Sequence, residues 1–334
     1  MGLFAGLIRI GWRWNVPNVA ASHGAIMVGG FLGTLILVEK SLPLKKKYLL
    51  ILAAVNASSV VLIMAGQQKI GIYCLVIGAC ALVWTFIQYL RDQTFDRPLI
   101  IMLSGSIFLL TGHVLLLATG LYPMALPWWM AFIIFIITGE RLELSKFLPV
   151  SAFSKTVLIS FLGLFVTSLL VPYHSFGKYL SGAGLMLIAT WLMRFDVISI
   201  GLKKNGLTRF SSVALLGGYC ALLLTGAFMT SFADVAFAYD IIIHTFFLGF
   251  TFSMIFAHGP IILPGVLGIG VRPYHPTLFA PLILLWISLV IRISADLFLI
   301  SFEGRLISGW ISALSILMYF VVLITCTIRM TRRA

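Results

Sequence analysis

The sequence has very little charge for its length. Only 10% of its 334 residues are charged, whereas 61% are hydrophobic and the mean hydropathy is +1.10. A soluble chain carries about 25% charged residues, so most side chains here must face hydrocarbon or one another. The apolar runs are continuous rather than alternating, which excludes the lipid-facing strands of a membrane barrel. The composition therefore predicts an all-α protein, a polytopic membrane helical bundle.

About eleven runs are long enough to be transmembrane helices, because about 20 apolar residues cross a hydrocarbon core about 30 Å thick. The predicted spans are roughly 19–38, 48–66, 70–90, 99–120, 123–139, 154–172, 178–200, 210–231, 238–258, 278–299 and 305–328. Short, turn-rich connections favour a single transmembrane helical domain over residues 19–334. Ahead of it, segment 1–18 sets apolar side chains against Arg9 and Arg13, which predicts an amphipathic helix on the membrane surface.

Positive charge is concentrated on one side of this predicted bundle. Of the 23 Lys and Arg residues, the side that holds the N-terminus receives only Arg9, Arg13, Lys69, Lys178 and Arg305. The positive-inside rule then puts the N-terminus outside and the C-terminus in the cytoplasm, as in a bacterial inner membrane. The net charge of +13 follows from this topology and from contact with the lipid bilayer, so it does not indicate nucleic acid.

Several kinds of chemistry have no motif in the chain. We find no nucleophile–base motif, no phosphate-binding loop and no HExxH zinc motif. The four cysteines lack CxxC spacing, and their ordinary role within spans is packing. Any chemistry must therefore be carried by a cofactor that the protein binds and tunes.

The six histidines are the strongest functional signal. Measured from the outer side, His23 lies about four residues inside the first span, and His113 and His244 lie about six residues inside the fourth and ninth. At about 1.5 Å per residue, the three imidazoles sit roughly 6–10 Å below the outer boundary. Ionisable residues in a membrane are costly, and three at one depth on separate helices form the pattern of a metal or haem site. The alternative is a set of neutral histidines, each bonded to a neighbouring carbonyl.

The residues after His23 favour a planar cofactor. Gly30 is seven residues on and would share the face of His23 in an α-helix, leaving room for a porphyrin held edge-on. Gly29 and Gly33 form a GxxxG, so helix packing is an equal alternative. Met27 shares the face and is a second-choice axial ligand, although core packing explains it better.

The ninth span holds a second histidine. His244 and His258 are separated by almost four turns, so they share a face about 21 Å apart, with Thr251 midway. Pro260 and Pro264 follow and would end or kink the helix. His258 either binds a second group near the cytoplasmic side or caps this helix end.

Two further groups of residues can be explained without a cofactor. His174 and His275 fall in loops, where a solvated histidine needs no explanation, although His174 could approach the outer layer. Near His23, an aromatic and basic cluster could contact haem propionates, but interfacial anchoring explains it better. The cluster is Arg9, Trp12, Arg13 and Trp14.

At motif level the chain resembles haem proteins of the membrane. His23-Gly24-Ala25-Ile26-Met27 looks like the low-spin haem helix of haem-copper oxidase subunit I. The His244 span with its His258-Gly259-Pro260 ending resembles the NnrS family, haem-containing membrane proteins linked to nitric oxide stress. The resemblance implies an oxidase-like helix arrangement with haem near the outer face, ligated by His23 and by a partner on the His244 helix. Oxidases also use a His-His pair and a His-x-His, and their absence argues against a copper–haem reaction centre.

These observations lead to two functional hypotheses of different classes. The first is a haem b protein in electron transfer or in nitric oxide or oxygen handling, with ligands drawn from His23, His113 and His244. A third imidazole would hold copper or remain outside the iron's ligand set, and a redox partner or a quinone would exchange electrons. A haem-dependent oxidoreductase is compatible with this hypothesis but not required by it. The alternative is a cofactor-free transporter whose substrate path runs near Arg292 and Asp296, expected to pair as i,i+4 neighbours. A purely structural membrane subunit would bind nothing.

Overall fold

The computed structural model describes residues 1–12, 20–92, 96–298 and 302–332, and this part of the chain is helical without strands. It forms two compact units, residues 1–144 and residues 145–334. An all-helical fold is what the continuous apolar runs predict, because inside a membrane every backbone group must find its partner within its own segment.

The first unit begins with a short helix and continues with five helices of membrane length. They are α1 (Gly2–Arg9), α2 (His23–Leu44), α3 (Lys47–Met64), α4 (Gln68–Arg91), α5 (Arg97–Thr119) and α6 (Tyr122–Leu144). The predicted amphipathic segment is helical over α1, and Arg13 and Trp14 lie outside the described residues.

The second unit has six long helices and short helical turns between them. The helices are α7 (Ala152–Ser168), α8 (Lys178–Phe195), α9 (Leu207–Ser231), α10 (Ala238–Leu267), α11 (Pro276–Phe298) and α12 (Phe302–Thr331). The turns are Ser145–Phe147, Tyr173–Gly177 and Ile198–Gly201.

Within the described residues, nine of these helices are long and apolar enough to cross a membrane. Of the other three, α1 is short, and α7 and α8 stand at the sixth and seventh predicted spans. With 17 and 18 residues, α7 is too short and α8 is not apolar enough to be counted among the nine. A helix therefore stands at each predicted span, and the polytopic membrane fold is confirmed at this coarser level.

Small residues let the helices of each unit approach closely. In the first unit, a methyl group added to Gly105 of α5 would lie 3.2 Å from the carbonyl oxygen of Phe132 on α6. In the second, a methyl group on Gly182 of α8 would lie 2.5 Å from the carbonyl oxygen of Gly226 on α9. Helices in lipid associate through such close packing, since there is no hydrophobic drive between them.

Polar pairs add to this packing within each unit. In the first unit, Lys40 near the end of α2 pairs with Glu140 near the end of α6, with Nζ and Oε1 2.6 Å apart. In the second, the hydroxyls of Ser288 on α11 and Ser312 on α12 are 2.8 Å apart. The two contacts tie helices together at points where a lone polar group in hydrocarbon would be costly.

Candidate functional site

His23 is the first residue of α2, so the helix begins four residues later than the sequence predicts. Its imidazole lies against α1, where the Nδ1 atom is 3.0 Å from the carbonyl oxygen of Gly2. A methyl group on Gly6 would lie 2.9 Å from its Cε1 atom. Helix α1 therefore forms one wall around His23, and the absence of a side chain at Gly6 makes that contact possible.

Three residues beyond His23, helix α2 changes from α to π geometry over Ile26–Gly33. Asn56 of α3 donates from Nδ2 to the Gly29 carbonyl oxygen at 2.9 Å, and the Thr34 hydroxyl donates to the Gly30 carbonyl oxygen at 2.6 Å. These side chains bond to carbonyl oxygens of the widened turns. π-Helical turns often occur at functional sites.

The π geometry changes which residues share a face. Gly30 does not lie with His23 as the α-helical count predicts; a methyl group there would lie 2.5 Å from Val60 of α3. Gly30 is thus a close-packing position, as the helix-packing alternative predicts. Gly29 instead faces α5, where a methyl group would lie 2.7 Å from Cε1 of His113.

His113 is fully buried in the first unit. Its ring packs edge-on to Trp129 of α6 with centroids 5.6 Å apart. Among the described residues, neither nitrogen of His113 has a hydrogen-bond partner, and the same holds for Nε1 of Trp129. A buried polar group without a partner costs about 1–3 kcal/mol, so this pair marks a position where a ligand would be stabilised.

His244 in the second unit has a setting that parallels that of His23. It is the seventh residue of α10, and its Nδ1 lies 2.9 Å from the carbonyl oxygen of Asp240. The helix changes to π geometry immediately afterwards, over Thr245–Thr251. The Thr251 hydroxyl donates to the Phe246 carbonyl oxygen, 3.3 Å away and five residues earlier, as the wider turn requires.

A cluster of charged side chains surrounds Asp240. Its carboxylate accepts two hydrogen bonds from Arg292, from Nε at 2.7 Å and from Nη2 at 3.0 Å. Arg305 approaches Asp240 at 3.8 Å, and its Nε lies 2.6 Å from Asp296 as an ion pair without hydrogen-bond alignment. The i,i+4 pair expected between Arg292 and Asp296 is thus replaced by pairs between α10, α11 and α12.

His258 lies further along α10, with Nδ1 2.6 Å from the carbonyl oxygen of Met254. Of the two expectations for Pro260 and Pro264, an end or a kink of the helix, the first is wrong, since α10 continues to Leu267. Pro260 has no N–H to offer the Phe256 carbonyl oxygen, which accepts from the Tyr319 hydroxyl of α12 at 3.0 Å instead. His258 is therefore an internal residue and does not cap the helix end.

The remaining histidines lie between long helices, as predicted. His174 belongs to the turn Tyr173–Gly177, and Nδ1 of His275 accepts from the backbone N–H of Thr277 at 3.3 Å. All four cysteines are free thiols. In the part of the chain that the structure describes, no group of three or more His, Cys, Asp or Glu side chains is arranged to hold a metal ion.

The histidines thus divide between the units, with His23 and His113 in the first and His244 and His258 in the second. Asn56, Asp240 and Arg305 were missed from sequence. Asp240 was detectable as the i−4 neighbour of His244, and Asn56 as an amide in mid-span.

Comparisons with known proteins add a family but no activity. No curated protein and no solved structure matches the chain. A family model described as a domain of unknown function, DUF8744, matches residues 1–328, and the chain belongs to this family.

Proposed function

We propose that the protein is a haem-binding integral membrane protein, active in electron transfer or in nitric oxide or oxygen handling. Its haem b ligands are drawn from the histidines of the predicted outer layer, which are His23 and His113 in the first unit and His244 in the second. The helix arrangement is related to that of haem-copper oxidase subunit I and NnrS proteins. The protein lies in a bacterial inner membrane with its N-terminus outside, and a redox partner or a quinone exchanges electrons with it.

The observation that carries this proposal is the matched setting of His23 and His244. Each has Nδ1 within 3.0 Å of a backbone carbonyl oxygen. If Nδ1 carries the proton, Nε2 carries the lone pair, which is how metal-ligating histidines are oriented in proteins. Each is followed within three residues by a π-helical segment. Neutral histidines bonded to carbonyls would account for the hydrogen bonds but not for both π segments.

The burial of His113 supports the same proposal. Its two ring nitrogens are buried without partners in the described structure, so coordination of one of them to iron would remove part of an uncompensated cost. The Trp129 ring holds the imidazole edge-on, and Gly29 allows it to approach α2. The protein would therefore orient an imidazole that is already buried.

When bound, haem supplies reversible one-electron chemistry and an iron site for a diatomic gas. The contribution of the chain is to fix the imidazoles, exclude water and set the local charge. Copper is not part of the proposal, because the sequence has neither the His-His pair nor the His-x-His that oxidases use.

Single-histidine variants test which imidazoles ligate iron. The protein is produced in cells supplied with a haem precursor and purified in detergent. We expect His23→Ala, His113→Leu and His244→Ala each to lower haem content or change the Soret band, while His275→Ala in a loop leaves both unchanged. Uniform haem content and identical spectra across all four variants would contradict the assignment.

A cofactor-free transporter is the second candidate, and the charged cluster of the second unit favours it. Asp296 is fully buried within α11 and pairs with Arg305. Ionisable residues at such positions commonly mark substrate or proton paths. The wild-type protein and Asp296→Asn are each placed in vesicles, and uptake of solute is compared. Uptake by a wild-type protein that contains no haem, and its loss in Asp296→Asn, would favour transport over the first candidate.

A further inference from the structure

We infer that Asp240 is a positioning residue for His244: its carboxylate, fixed by Arg292, faces the Nδ1 side of the imidazole and strengthens Nε2 as a ligand. The inference rests on the proposed function, in which His244 ligates haem. It concerns residues of α10 and α11, both in the second unit.

Asp240 offers His244 two acceptors. The backbone carbonyl oxygen lies 2.9 Å from Nδ1, and the carboxylate Oδ1 lies 3.3 Å from the same atom. The carbonyl accounts for the position of the proton, and the carboxylate adds a negative charge beside it. A carboxylate or carbonyl behind a metal-bound histidine fixes its tautomer and raises its basicity.

The carboxylate cannot easily turn away from the imidazole. Arg292 holds both of its oxygens, through Nε at 2.7 Å and Nη2 at 3.0 Å, and the Arg292 side chain is itself buried. A bidentate pair of this kind fixes geometry as well as charge. Arg305 closes the other side at 3.8 Å, stacked over the ring of Phe237 at 4.0 Å.

A purely structural ion-pair lock between α10 and α11 would need only Asp240 and Arg292. The imidazole in the same cluster, one residue before the π segment Thr245–Thr251, is unexplained by such a lock. Asp240 is the charged side chain that contacts His244, and Arg292 and Arg305 pair with Asp240 in turn.

The first test reads the imidazole itself, in full-length protein produced without haem precursor. The Nδ1 and Nε2 resonances of His244 are recorded with ¹⁵N-labelled histidine and assigned by their loss in His244→Gln. We expect a proton on Nδ1 in the wild type. In Asp240→Asn, which keeps the backbone carbonyl, the Nδ1 proton should move upfield as its hydrogen bond weakens.

Asp234→Asn is the matched control, because Asp234 lies in the same unit and its side chain is 90% exposed and paired with Lys178. It should leave the His244 resonances unchanged. The inference requires that the proton of His244 lies on Nδ1. If the wild-type spectrum shows it on Nε2, the inference is overturned, even if Asp240→Asn folds too poorly to be measured.

The second test is the haem midpoint potential in the loaded protein. Asp240→Asn removes a negative charge beside His244 and should favour the ferrous state about tenfold. The midpoint potential should therefore rise by about 59 mV, the value for a one-electron couple. Asp240→Glu keeps the negative charge and should keep most of the wild-type potential. If Asp240 had only a structural role, the longer side chain would not be expected to preserve the potential.

The results separate the two proposals. Haem bound through His244, with neither resonance nor potential altered in Asp240→Asn, overturns the inference and leaves the proposed function standing. A haem-free wild type, with an Nδ1 proton that responds to Asp240→Asn and not to Asp234→Asn, overturns the proposed function while supporting the Asp240–His244 contact.

Discussion

Asn56 donates a hydrogen bond from Nδ2 to the carbonyl oxygen of Gly29, across 2.9 Å between α3 and α2. The same amide group reaches the hydroxyl of Thr34 at 2.7 Å. One buried side chain thus donates to the π segment of α2 at Gly29 and to Thr34 just after it, on the stretch that carries Gly29 against His113.

Replacing Asn56 by Leu should destabilise the first unit, because the Gly29 carbonyl loses its donor inside the protein. We expect a loss of about 1–3 kcal/mol, seen as a lower midpoint of thermal unfolding in detergent. Ser58→Ala is the control on the same helix, since Ser58 is exposed and bonds to the Val55 carbonyl oxygen at 2.7 Å and only at 3.9 Å to Cys74 of α4. Equal midpoints for the two variants would show that the Asn56 bond does not hold the π segment.

A methyl group at Gly29 should push the His113 ring out of position. The added carbon would lie 2.7 Å from His113 and 2.9 Å from Leu75, so one of them must move. Overpacking of this kind costs about 1–3 kcal/mol. Gly163→Ala provides the comparison, because no atom lies within 4 Å of its added carbon and alanine favours the helix. Thermal unfolding that is unaffected by Gly29→Ala would contradict the close contact.

His113→Leu should have opposite effects on stability in the haem-free and the haem-bound protein. Without haem, the variant removes a buried imidazole that has no partner among the described residues, so we expect a gain of about 1–3 kcal/mol. With haem, the variant should lose the stabilisation that ligand binding adds to the wild type. Unfolding midpoints with and without haem precursor measure both effects, and a variant less stable than wild type in the haem-free form would count against the unpaired imidazole.

The Tyr319 hydroxyl should matter because Pro260 cannot bond to the Phe256 carbonyl oxygen. Tyr319→Phe keeps the ring stack with Phe256, whose centroid is 3.8 Å away, and removes only the hydroxyl. We expect a loss of about 1 kcal/mol, and a smaller loss in a Pro260→Ala background, where the helix supplies its own N–H. A double-mutant cycle measures the difference, with exposed Tyr73→Phe as the control. Additive losses would show that the two residues are not coupled.

The long helices could be predicted from sequence, while the contacts around the histidines could not. Continuous hydropathy located a helix at each predicted span, because the thickness of hydrocarbon fixes how many apolar residues are needed. The predicted face shared by His23 and Gly30 failed because it assumed 3.6 residues per turn through a segment that is π-helical. That geometry involves Asn56 on another helix, which periodicity along α2 does not report. The predicted pair of Arg292 with Asp296 failed for a similar reason, since the actual partner, Asp240, is distant in sequence.

The orientation in the membrane is a separate prediction. The N-terminus should lie outside and the C-terminus in the cytoplasm, because Lys and Arg concentrate in the connections assigned to the inner side. A fluorescent protein that matures only in the cytoplasm should be bright when fused after Ala334 and dark when fused before Met1. The reverse pattern would contradict the assignment, and equal brightness would point to a miscounted span.

The absorption spectrum of the detergent-purified wild-type protein tests the central proposal most directly. Cells supplied with a haem precursor should yield a protein with a Soret band and sharp α bands on reduction, and His244→Ala should lose them while Asp234→Asn keeps them. A colourless, iron-free wild-type preparation from the same cells would contradict haem binding.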